Sequence, residues 1–476
     1  MNKFMNNLKK ALFDNKVIIL FVVLCLGCIL IADTSLSYIA SEVFSRFARN
    51  ACLVLALIIP CLAGLGMNFG IVVGAIAAQI SIIMVVHWQI DGIVGFLLCA
   101  LISVPLALLF GYLVGLLYNK TKGSEMVAGL VLGFFAAGLY RLLTLFIIGG
   151  VIPFDDPKLL DRGLGLRNAY DLTGDLKYAL DDISFLTVLV IMGALTVITA
   201  VVTAIHAKKT GQEIVAKTVI GKVLVGLGMI IVGIVGKMIP MIYTIFGQKR
   251  IALTDVAFYG GIALIIYAII MYGVKRPKKG EQLLKSLITY AIVGALLLVS
   301  TFIPAIRTIF QFIKLPAATY GVICLFCFFN SWMMNTRLGQ NMRTVGQSRT
   351  VATSAGINVD KIRIIATCIS TVLAAWGQLI FLQNLGTFST VTQQDNVGLY
   401  SVAAILVGGA TVQKANNKHA IVGVILFHTL FVVAPLAATQ LVGDSAISEY
   451  IRMFISYGVI AVSLAMHAWK KVKKSN

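Results

Sequence analysis

The chain has 476 residues, of which 59% are hydrophobic and only 12% are charged, and its mean hydropathy is +0.95. Soluble domains carry about 25% charged residues, so this chain cannot cover a water-facing surface and must use the membrane as its solvent. Its formal net charge of +20 would suggest nucleic-acid binding in a soluble protein. In a membrane protein, Lys and Arg collect in inner loops. No nucleic-acid partner is therefore expected.

Apolar runs recur along the whole chain, and a helix that crosses a bilayer needs roughly 20 apolar residues. The pattern predicts an all-α polytopic membrane protein, with residues 1–476 forming a single transmembrane domain of roughly 14 spans. The predicted spans are 17–33, 51–66, 70–88, 93–117, 126–149, 184–206, 219–246, 251–273, 286–306, 317–334, 363–385, 399–412, 419–438 and 450–468.

The charges between these spans alternate. If the N-terminus is inside, the predicted inner loops hold most of the Lys and Arg residues, whereas the loop 150–183 is rich in Asp. Positive charge marks the inner side. The alternation therefore predicts that the N- and C-termini are both cytoplasmic and that 150–183 is an acidic outer loop.

The first irregular element is the glycine-rich segment 64–74. It contains Asn68, Gly70 and Gly74, and clustered glycine lowers helix propensity by about 1 kcal/mol per residue. Backbone groups freed in a broken membrane helix can face a solute, so we predict that these three residues line a solute pathway. The alternative is close helix packing, because Gly70 and Gly74 also form a GxxxG pair.

The most informative element is the polar loop 336–361, which reads TRLGQNMRTVGQSRTVATSAGINVDK between two long apolar runs. Segment 346–356 is predicted to be a short helix that ends at a glycine. Such a helix, lying across the membrane face, can fit a cleft in a soluble partner and transmit its movement. The alternative is an ordinary cytoplasmic loop. The residues predicted to couple the chain to a partner are Arg337, Gly339, Arg343, Gly346, Gln347, Arg349 and Gly356.

A second solute-binding candidate is the segment 383–396, which is rich in amides and hydroxyls and almost uncharged. Amides provide the neutral donors and acceptors that sugar or nucleoside hydroxyls need. We predict solute contacts from Gln383, Asn384 and Gln393, with Phe388 stacking on a ring. The alternative is an ordinary outer loop.

Five isolated polar residues lie within or at the edge of predicted spans, where polar side chains are often functional. A packed or snorkelling role is the alternative for each. They are Arg141, Lys237, Asn330, Gln378 and His428.

Several kinds of chemistry have no motif in this sequence. A G-x-x-x-x-G-K-[ST] phosphate loop, a Cys/His zinc cluster and a G-x-S-x-G nucleophile elbow are all absent. The chain is therefore expected to be neither an enzyme nor a binder of ATP through a phosphate loop, and no cofactor or metal is expected.

Loop 336–361 resembles the inner loop of bacterial ABC-importer permeases of the sugar, nucleoside and branched-chain amino acid class. Their pattern is roughly T-x-x-G-x-x-x-R-A-x-G-x-N-x-x-A-A-x-x-x-G-I. Thr344 and Ser348 depart from it, since the family has a small apolar residue and Asn there. Stretches 64–79, 121–139 and 401–412 are also similar to the family. The matching positions of the loop are Thr336, Gly339, Arg343, Gly346, Gln347, Ala352, Gly356 and Ile357.

The resemblance implies a permease subunit in the bacterial cytoplasmic membrane that moves a small hydroxylated solute, such as a simple sugar or nucleoside, into the cell. A separate ABC ATPase would grip the loop 336–361. A second permease subunit, identical or paralogous, would complete the pathway, an extracytoplasmic solute-binding protein would deliver the solute, and membrane lipid would surround the spans. Such permeases usually have about ten spans of roughly 20 residues, so the surplus is predicted to be an insertion at 200–315.

Two other functional classes stay open. A secondary transporter driven by an ion gradient would need a carboxylate or His in mid-membrane. The predicted spans have no Asp or Glu at their centres, which leaves His428 as the one reasonable proton carrier. The other class is a membrane-embedded scaffold or a lipid-modifying enzyme.

Overall fold

The structure is a computed structural model. The residues it describes are 16–153, 165–210, 216–275, 281–412, 414–443, 450–455, 457–462 and 465. Both chain ends, whose cytoplasmic location is predicted, and residues 154–164 of the predicted acidic loop lie outside this described part.

The described residues are mainly helical. In chain order the helices are α1 (Lys16–Ile31), α2 (Leu36–Ala56), α3 (Ile58–Leu62), α4 (Val72–His87), α5 (Gly92–Lys120), α6 (Glu125–Leu142), α7 (Phe185–Thr210), α8 (Ala216–Met238), α9 (Pro240–Phe246), α10 (Leu253–Lys275), α11 (Glu281–Phe302), α12 (Pro304–Phe312), α13 (Ala317–Asn335), α14 (Arg337–Gln347), α15 (Arg349–Ser354), α16 (Val359–Leu385), α17 (Asp395–Val407), α18 (Asn417–Val442) and α19 (Tyr450–Val462). A 3₁₀ turn, Phe69–Ile71, precedes α4, and a π-helical turn, Leu143–Ile147, extends α6. The described strands are β1 (Ala169–Asp171), β2 (Arg250–Ala252), β3 (Lys314–Pro316) and β4 (Thr387–Ser389).

Ten helical stretches in the described part are long and apolar enough to cross a membrane, or eleven if α11 and α12, bent by 92°, count as one. Helices α1, α17 and α19 are apolar but shorter. The all-α polytopic membrane class is therefore confirmed, while the number of spans stays a prediction. The ten stretches are Leu36–Leu62, Phe69–His87, Gly92–Lys120, Glu125–Ile147, Phe185–Ile205, Val219–Met238, Leu253–Ile270, Ala317–Asn335, Val359–Leu385 and Asn417–Val442.

One predicted boundary is wrong: the second span begins at Leu36, not near residue 51. Its first half contains charged side chains, which lowered the apparent hydropathy. The fold gives two of them partners, because Arg49 Nε donates to Asn384 Oδ1 at 2.7 Å and the Arg46 guanidinium lies 5.3 Å from the ring centroid of Phe431. Paired charges of this kind are tolerated within a span.

The chain folds as two compact units. The first contains residues 1–34, 45–180 and 323–476, and the second contains 35–44 and 181–322. The predicted insertion at 200–315 lies within the second unit. Whether it is an insertion stays a prediction, because the structure describes the unit and not its origin.

Helices α4, α5 and α16 form the centre of the first unit, and small residues bring their backbones together. A Cβ on Gly111 would lie 2.8 Å from the Cα of Cys368, and one on Gly115 would lie 3.0 Å from the Cα of Ile364. The reversed order of these contacts makes α5 and α16 antiparallel. The end of α5 and the start of α16 therefore share one end of the unit, which we call the 336–361 end.

The opposite end of the first unit carries a two-stranded antiparallel sheet of β1 and β4. Tyr170 faces Phe388 in its register, and Ala169 faces Ser389. The backbone N–H of Tyr178 also donates to the carbonyl of Gln383, which ends α16, at 2.9 Å. We call this the β1–β4 end.

The second unit contains an internal repeat that the sequence analysis did not identify. Each copy has two long helices, a short helix that begins at proline and a three-residue strand: α7, α8, α9 and β2, then α10, α11, α12 and β3. The sequences at the two short helices are IPMIYTIF, from residue 239, and IPAIRTIF, from residue 303. They differ at two positions, and each helix begins at the proline. Strands β2 and β3 pair antiparallel.

Glycine pairs close the helical hairpin of each copy. A Cβ on Gly226 would lie 2.8 Å from the carbonyl oxygen of Gly193, and one on Gly261 would lie 2.8 Å from that of Gly294. In each copy the same number of residues separates the two glycines of the pair, Gly193 from Gly226 and Gly261 from Gly294. Close backbone packing is therefore a shared feature of both copies.

Replacing Gly226 or Gly261 by Ala is expected to lower the thermal stability of the purified chain in detergent. The added methyl group would force two packed backbones apart, and overpacking costs about 1–3 kcal/mol. Gly228 and Gly260 are matched controls on the same helices, because nothing lies within 4 Å of a Cβ added there. Their Ala variants should unfold at the wild-type temperature or above it, and equal losses in all four variants would contradict the packing.

Candidate functional site

The loop 336–361 folds as two helices, α14 and α15, rather than as the single short helix predicted at 346–356. Ser348 separates them because its backbone is extended, with φ −156° and ψ 115°. Its Oγ accepts a hydrogen bond from the N–H of Val351 at 3.3 Å and so caps α15. Gly356 follows the C-terminus of α15 with φ +75°, as a glycine after a helix often does.

Helix α14 has a buried face and an exposed face. Gly339, Met342 and Val345 are buried, at a helical spacing of three residues. Arg337, Arg343 and Gln347 are exposed. Of the predicted coupling residues, these three and Gly356 are exposed, whereas Gly339 is covered, and a Cβ there would overlap the carbonyl oxygen of Met333.

Gly346 packs against the non-helical segment 63–68, which separates α3 from the 3₁₀ turn before α4. We call this segment the break before α4, and the interrupted helix formed by α3, the break and α4 the broken helix. A Cβ on Gly346 would overlap the carbonyl oxygen of Leu62, and one on Gly64 would lie 2.8 Å from the Cα of Gly346. Gly64 also has φ +74°, a conformation that favours glycine. The two backbones therefore touch without an intervening side chain, so a displacement of α14 would press directly on Leu62–Gly64.

Glu125, at the start of α6, binds the loop through its carboxylate. Its Oε1 accepts from Nη2 of Arg349 at 2.5 Å and also from Nη2 of Arg363, and its Oε2 accepts from the N–H of Gly123 at 2.9 Å. The side chain of Glu125 is 8% exposed, that of Arg363 is 0% and that of Arg349 is 36%. One carboxylate thus joins α6, α15 and α16. We call Glu125, Arg349 and Arg363 the Glu125 cluster.

The contacts continue from the Glu125 cluster to Asn68. Nη2 of Arg363 donates to the carbonyl of Tyr118 at 3.0 Å, and the Tyr118 hydroxyl donates to Asn68 Oδ1 at 2.6 Å. Tyr118 is almost completely buried. A Cβ on Gly70 would lie 2.7 Å from its hydroxyl, so the glycine makes room for this ring.

A cavity of about 580 Å³ opens between these elements at the 336–361 end. Its walls come from four places: the segment after α3, the start of α6, the junction of α14 and α15, and Val412 after α17. They include Gly64, Gly66, Ser124, Gly346 and Arg349. The loop therefore borders open space on one side while two sets of contacts hold it to the helices on the other.

The predicted solute residues of segment 64–74 are buried among helices. Asn68 is 1% exposed. A Cβ on Gly74 would lie 2.6 Å from the carbonyl oxygen of Thr371 and 2.8 Å from the Cβ of Ala374. The contacts of Gly74 are thus those of helix packing, the alternative raised from the sequence, and a role of this segment in solute passage stays a prediction.

The predicted solute residues of segment 383–396 lie at the β1–β4 end, apart from the Glu125 cluster. Gln383 and Asn384 are buried in the last turn of α16. Phe388 is buried and lies opposite Tyr170 in the register of β1 and β4, and its stacking on a solute stays a prediction. Gln393 is half-buried, and solute contact by the three polar residues stays a prediction.

Sequence reasoning missed Glu125, Arg363 and Tyr118. One signal was available, because Glu125 is an acidic residue in a loop whose other charges, Lys120 and Lys122, are basic. An acid that departs from the positive-inside pattern indicates a specific basic partner. Arg363 gave no such signal, because an Arg close to the cytoplasmic end of a predicted span is common.

Replacing Glu125 by Gln is expected to destabilise the chain strongly. Removing one partner of a buried ion pair costs about 3–5 kcal/mol, because the other charge stays buried and uncompensated. The matched control at the same end is Asp360→Asn, which breaks an ion pair with Lys122 whose side chains are 53% and 43% exposed. An exposed pair contributes about 0–1 kcal/mol. Thermal unfolding in detergent separates the two cases, and equal shifts for both variants would contradict a structural role of the Glu125 cluster.

Two relatives of known name are similar to parts of this chain. The xylose transport system permease protein XylH of Haemophilus influenzae is 27% identical over 192 residues, which cover 38% of this chain and 48% of that protein. The probable ABC transporter permease protein YphD of Escherichia coli is 28% identical over 155 residues, which cover 32% of this chain and 43% of that protein. The chain thus spans about half the length of the curated relatives it matches. No solved structure matches it significantly.

The model of one protein family matches residues 178–464, which is more than half of the chain. Its description is branched-chain amino acid transport system / permease component. The match includes loop 336–361 and stretch 401–412, and the resemblance predicted from the sequence is confirmed. Proteins of this family are transport components rather than enzymes, as expected. This chain therefore belongs to the family of permease components of branched-chain amino acid transport systems.

Proposed function

We propose that this chain is the transmembrane permease subunit of an ATP-binding-cassette importer, and that α14 and α15 form the surface that its ATPase subunit grips. The single observation that carries this proposal is the two-sided construction of loop 336–361. Its exposed face offers Arg337, Arg343 and Gln347, and its other face is held by the Gly346–Gly64 contact and the Glu125 cluster.

Such a construction suits mechanical coupling. Closure of an ATPase dimer around ATP would displace α14 and α15 as a rigid pair. The displacement would reach the break before α4 directly through Gly346, and it would reach Asn68 through Glu125, Arg363 and Tyr118. Changes of access in transporters are largely rigid-body movements of this kind. Both routes end at the same broken helix, which would tilt or repack.

The remaining parts of the importer follow from the class. The proposal includes roughly 14 spans with cytoplasmic termini, a bacterial cytoplasmic membrane, a second permease subunit that is identical or paralogous, and an extracytoplasmic solute-binding protein. The solute is a small hydroxylated molecule such as a simple sugar or nucleoside. The name of the Haemophilus influenzae relative, a xylose system, supports a sugar-like solute.

A secondary transporter is the rival with less support. Proton or ion coupling commonly uses a carboxylate near mid-membrane. Within the described long spans, every carboxylate lies in the first third of its helix: Glu42 in α2, Glu125 in α6, Asp255 in α10 and Asp360 in α16. His428 is buried among Phe427 and Phe431, so an aromatic packing role accounts for it.

The energy source tests the proposed function directly. The chain would be reconstituted in vesicles with candidate ATPase, second permease and solute-binding subunits from the same organism, and the uptake of radiolabelled D-xylose, D-ribose and adenosine would be measured. Accumulation is expected only when the ATPase and ATP are both present. Accumulation driven by an ion gradient in vesicles that lack the ATPase would overturn the proposal in favour of a secondary transporter.

If the ATPase subunit binds the exposed face of α14, reversing the charges on that face should weaken its binding. The double variant Arg337→Glu/Arg343→Glu is expected to weaken co-purification with the ATPase by about tenfold or more, because interfacial charge complementarity determines which partners bind. Both side chains are exposed, so folding should be unaffected. Lys120→Glu is the matched control, an exposed reversal on α5 at the same end of the unit. Equal losses in the double variant and the control would indicate a general charge effect and contradict the assigned surface.

A further inference from the structure

A second cavity, of about 600 Å³, lies in the first unit between the 3₁₀ turn, α6, α17 and α19. Pockets for small molecules usually measure about 300–1,000 Å³. Its walls are mostly apolar, and Phe69, Phe134 and Tyr457 contribute rings to them. Three polar side chains also line it: Arg141, Asp395 and Asn396.

Arg141 and Asp395 form an ion pair in the wall of this cavity. The Nε of Arg141 also donates to the carbonyl of Val391 at 2.9 Å, which fixes the guanidinium. The side chains are 39% and 31% exposed. Arg141 lies about 24 Å along α6 from Glu125, at about 1.5 Å per residue, and within the candidate span Glu125–Ile147. Charged side chains within a span generally face water, a polar partner or a ligand rather than lipid.

We propose that this cavity binds the transported solute, and that the solute is a neutral ring compound with several hydroxyl groups, a class that contains pentoses and nucleosides. This inference rests on the proposed function, because it identifies where the imported solute sits. The Arg141–Asp395 pair carries no net charge, so it provides a donor and an acceptor for neighbouring hydroxyls without attracting an ion. The rings of Phe134 and Tyr457 provide flat apolar surface for the ring of the solute.

The position of the cavity connects the two predicted solute segments. Phe69 follows Asn68 in segment 64–74, and Asp395 and Asn396 follow Gln393 at the end of segment 383–396. Most of the residues predicted in these segments do not line the cavity, but Phe69 of the first segment and Asp395 and Asn396 of the second do. The broken helix that the 336–361 loop contacts therefore also forms a wall of the proposed solute site.

A matched pair of substitutions tests the site. Phe134 and Phe135 are adjacent on α6 and are 67% and 66% exposed, but Phe134 lines this cavity while Phe135 lines the apolar cavity on the other side of the helix. Binding would be measured by saturation-transfer NMR on the full chain in lipid nanodiscs, with adenosine and D-xylose as neutral probes and adenosine monophosphate and D-xylonate as their charged counterparts. No ATPase is needed for this measurement.

At least one neutral probe is expected to bind the wild-type chain saturably. Phe134→Ala should weaken it about tenfold, the usual effect of removing one apolar pocket contact, while Phe135→Ala should change it by less than about twofold. Each charged counterpart should bind at least about tenfold more weakly than its neutral probe. Equal effects of the two Ala variants, tighter binding of a charged probe, or no saturable binding of either neutral probe would overturn the site. Binding as predicted without ATP-dependent uptake would instead overturn the proposed function and leave the site standing.

Discussion

The carboxylate of Glu125 is the constraint on which the 336–361 end of the protein depends. It accepts hydrogen bonds from two guanidinium groups and from the backbone N–H of Gly123, and the guanidinium groups come from α15 and α16. A buried charge is costly unless it is paired and hydrogen-bonded. Arg363, which is fully buried, therefore requires Glu125, and Glu125 in turn holds Arg349 and helix α15. The loop is thus a fixed part of the bundle rather than a mobile connection.

The consequence is a continuous path of close contacts through the first unit. Closely packed protein interiors transmit strain. At Gly346 and Gly64 two backbones touch with no flexible side chain between them. The broken helix before α4 receives both routes. In the proposed function, that helix converts a push on α14 into a change around the cavity of Phe134 and Arg141. One face of the break would then serve energy input and the other would serve the solute.

The second unit obeys a different rule. Its helices are apolar and mostly exposed, as lipid-facing spans are, and its order comes from repetition: two glycine-closed hairpins, each followed by a proline-initiated helix. The sequences IPMIYTIF and IPAIRTIF show the repeat directly. A hydropathy pattern does not distinguish it, because both copies are simply apolar runs. The range matched by the family model contains residues 181–322 of this unit.

Local patterns in the sequence determined the membrane class, most of the long apolar helices, a short helix within loop 336–361 and the family, because hydropathy, charge and glycine spacing act over short distances. Only the tertiary structure decided which charges meet. Glu125 lies 224 positions from Arg349 and 238 from Arg363, and no local signal records such distances. The same limit explains the missed start of the second span at Leu36, whose charges are partnered from α16 and α18. It also explains why Phe388 was expected at a solute site, since its burial depends on pairing with a strand far away in the chain.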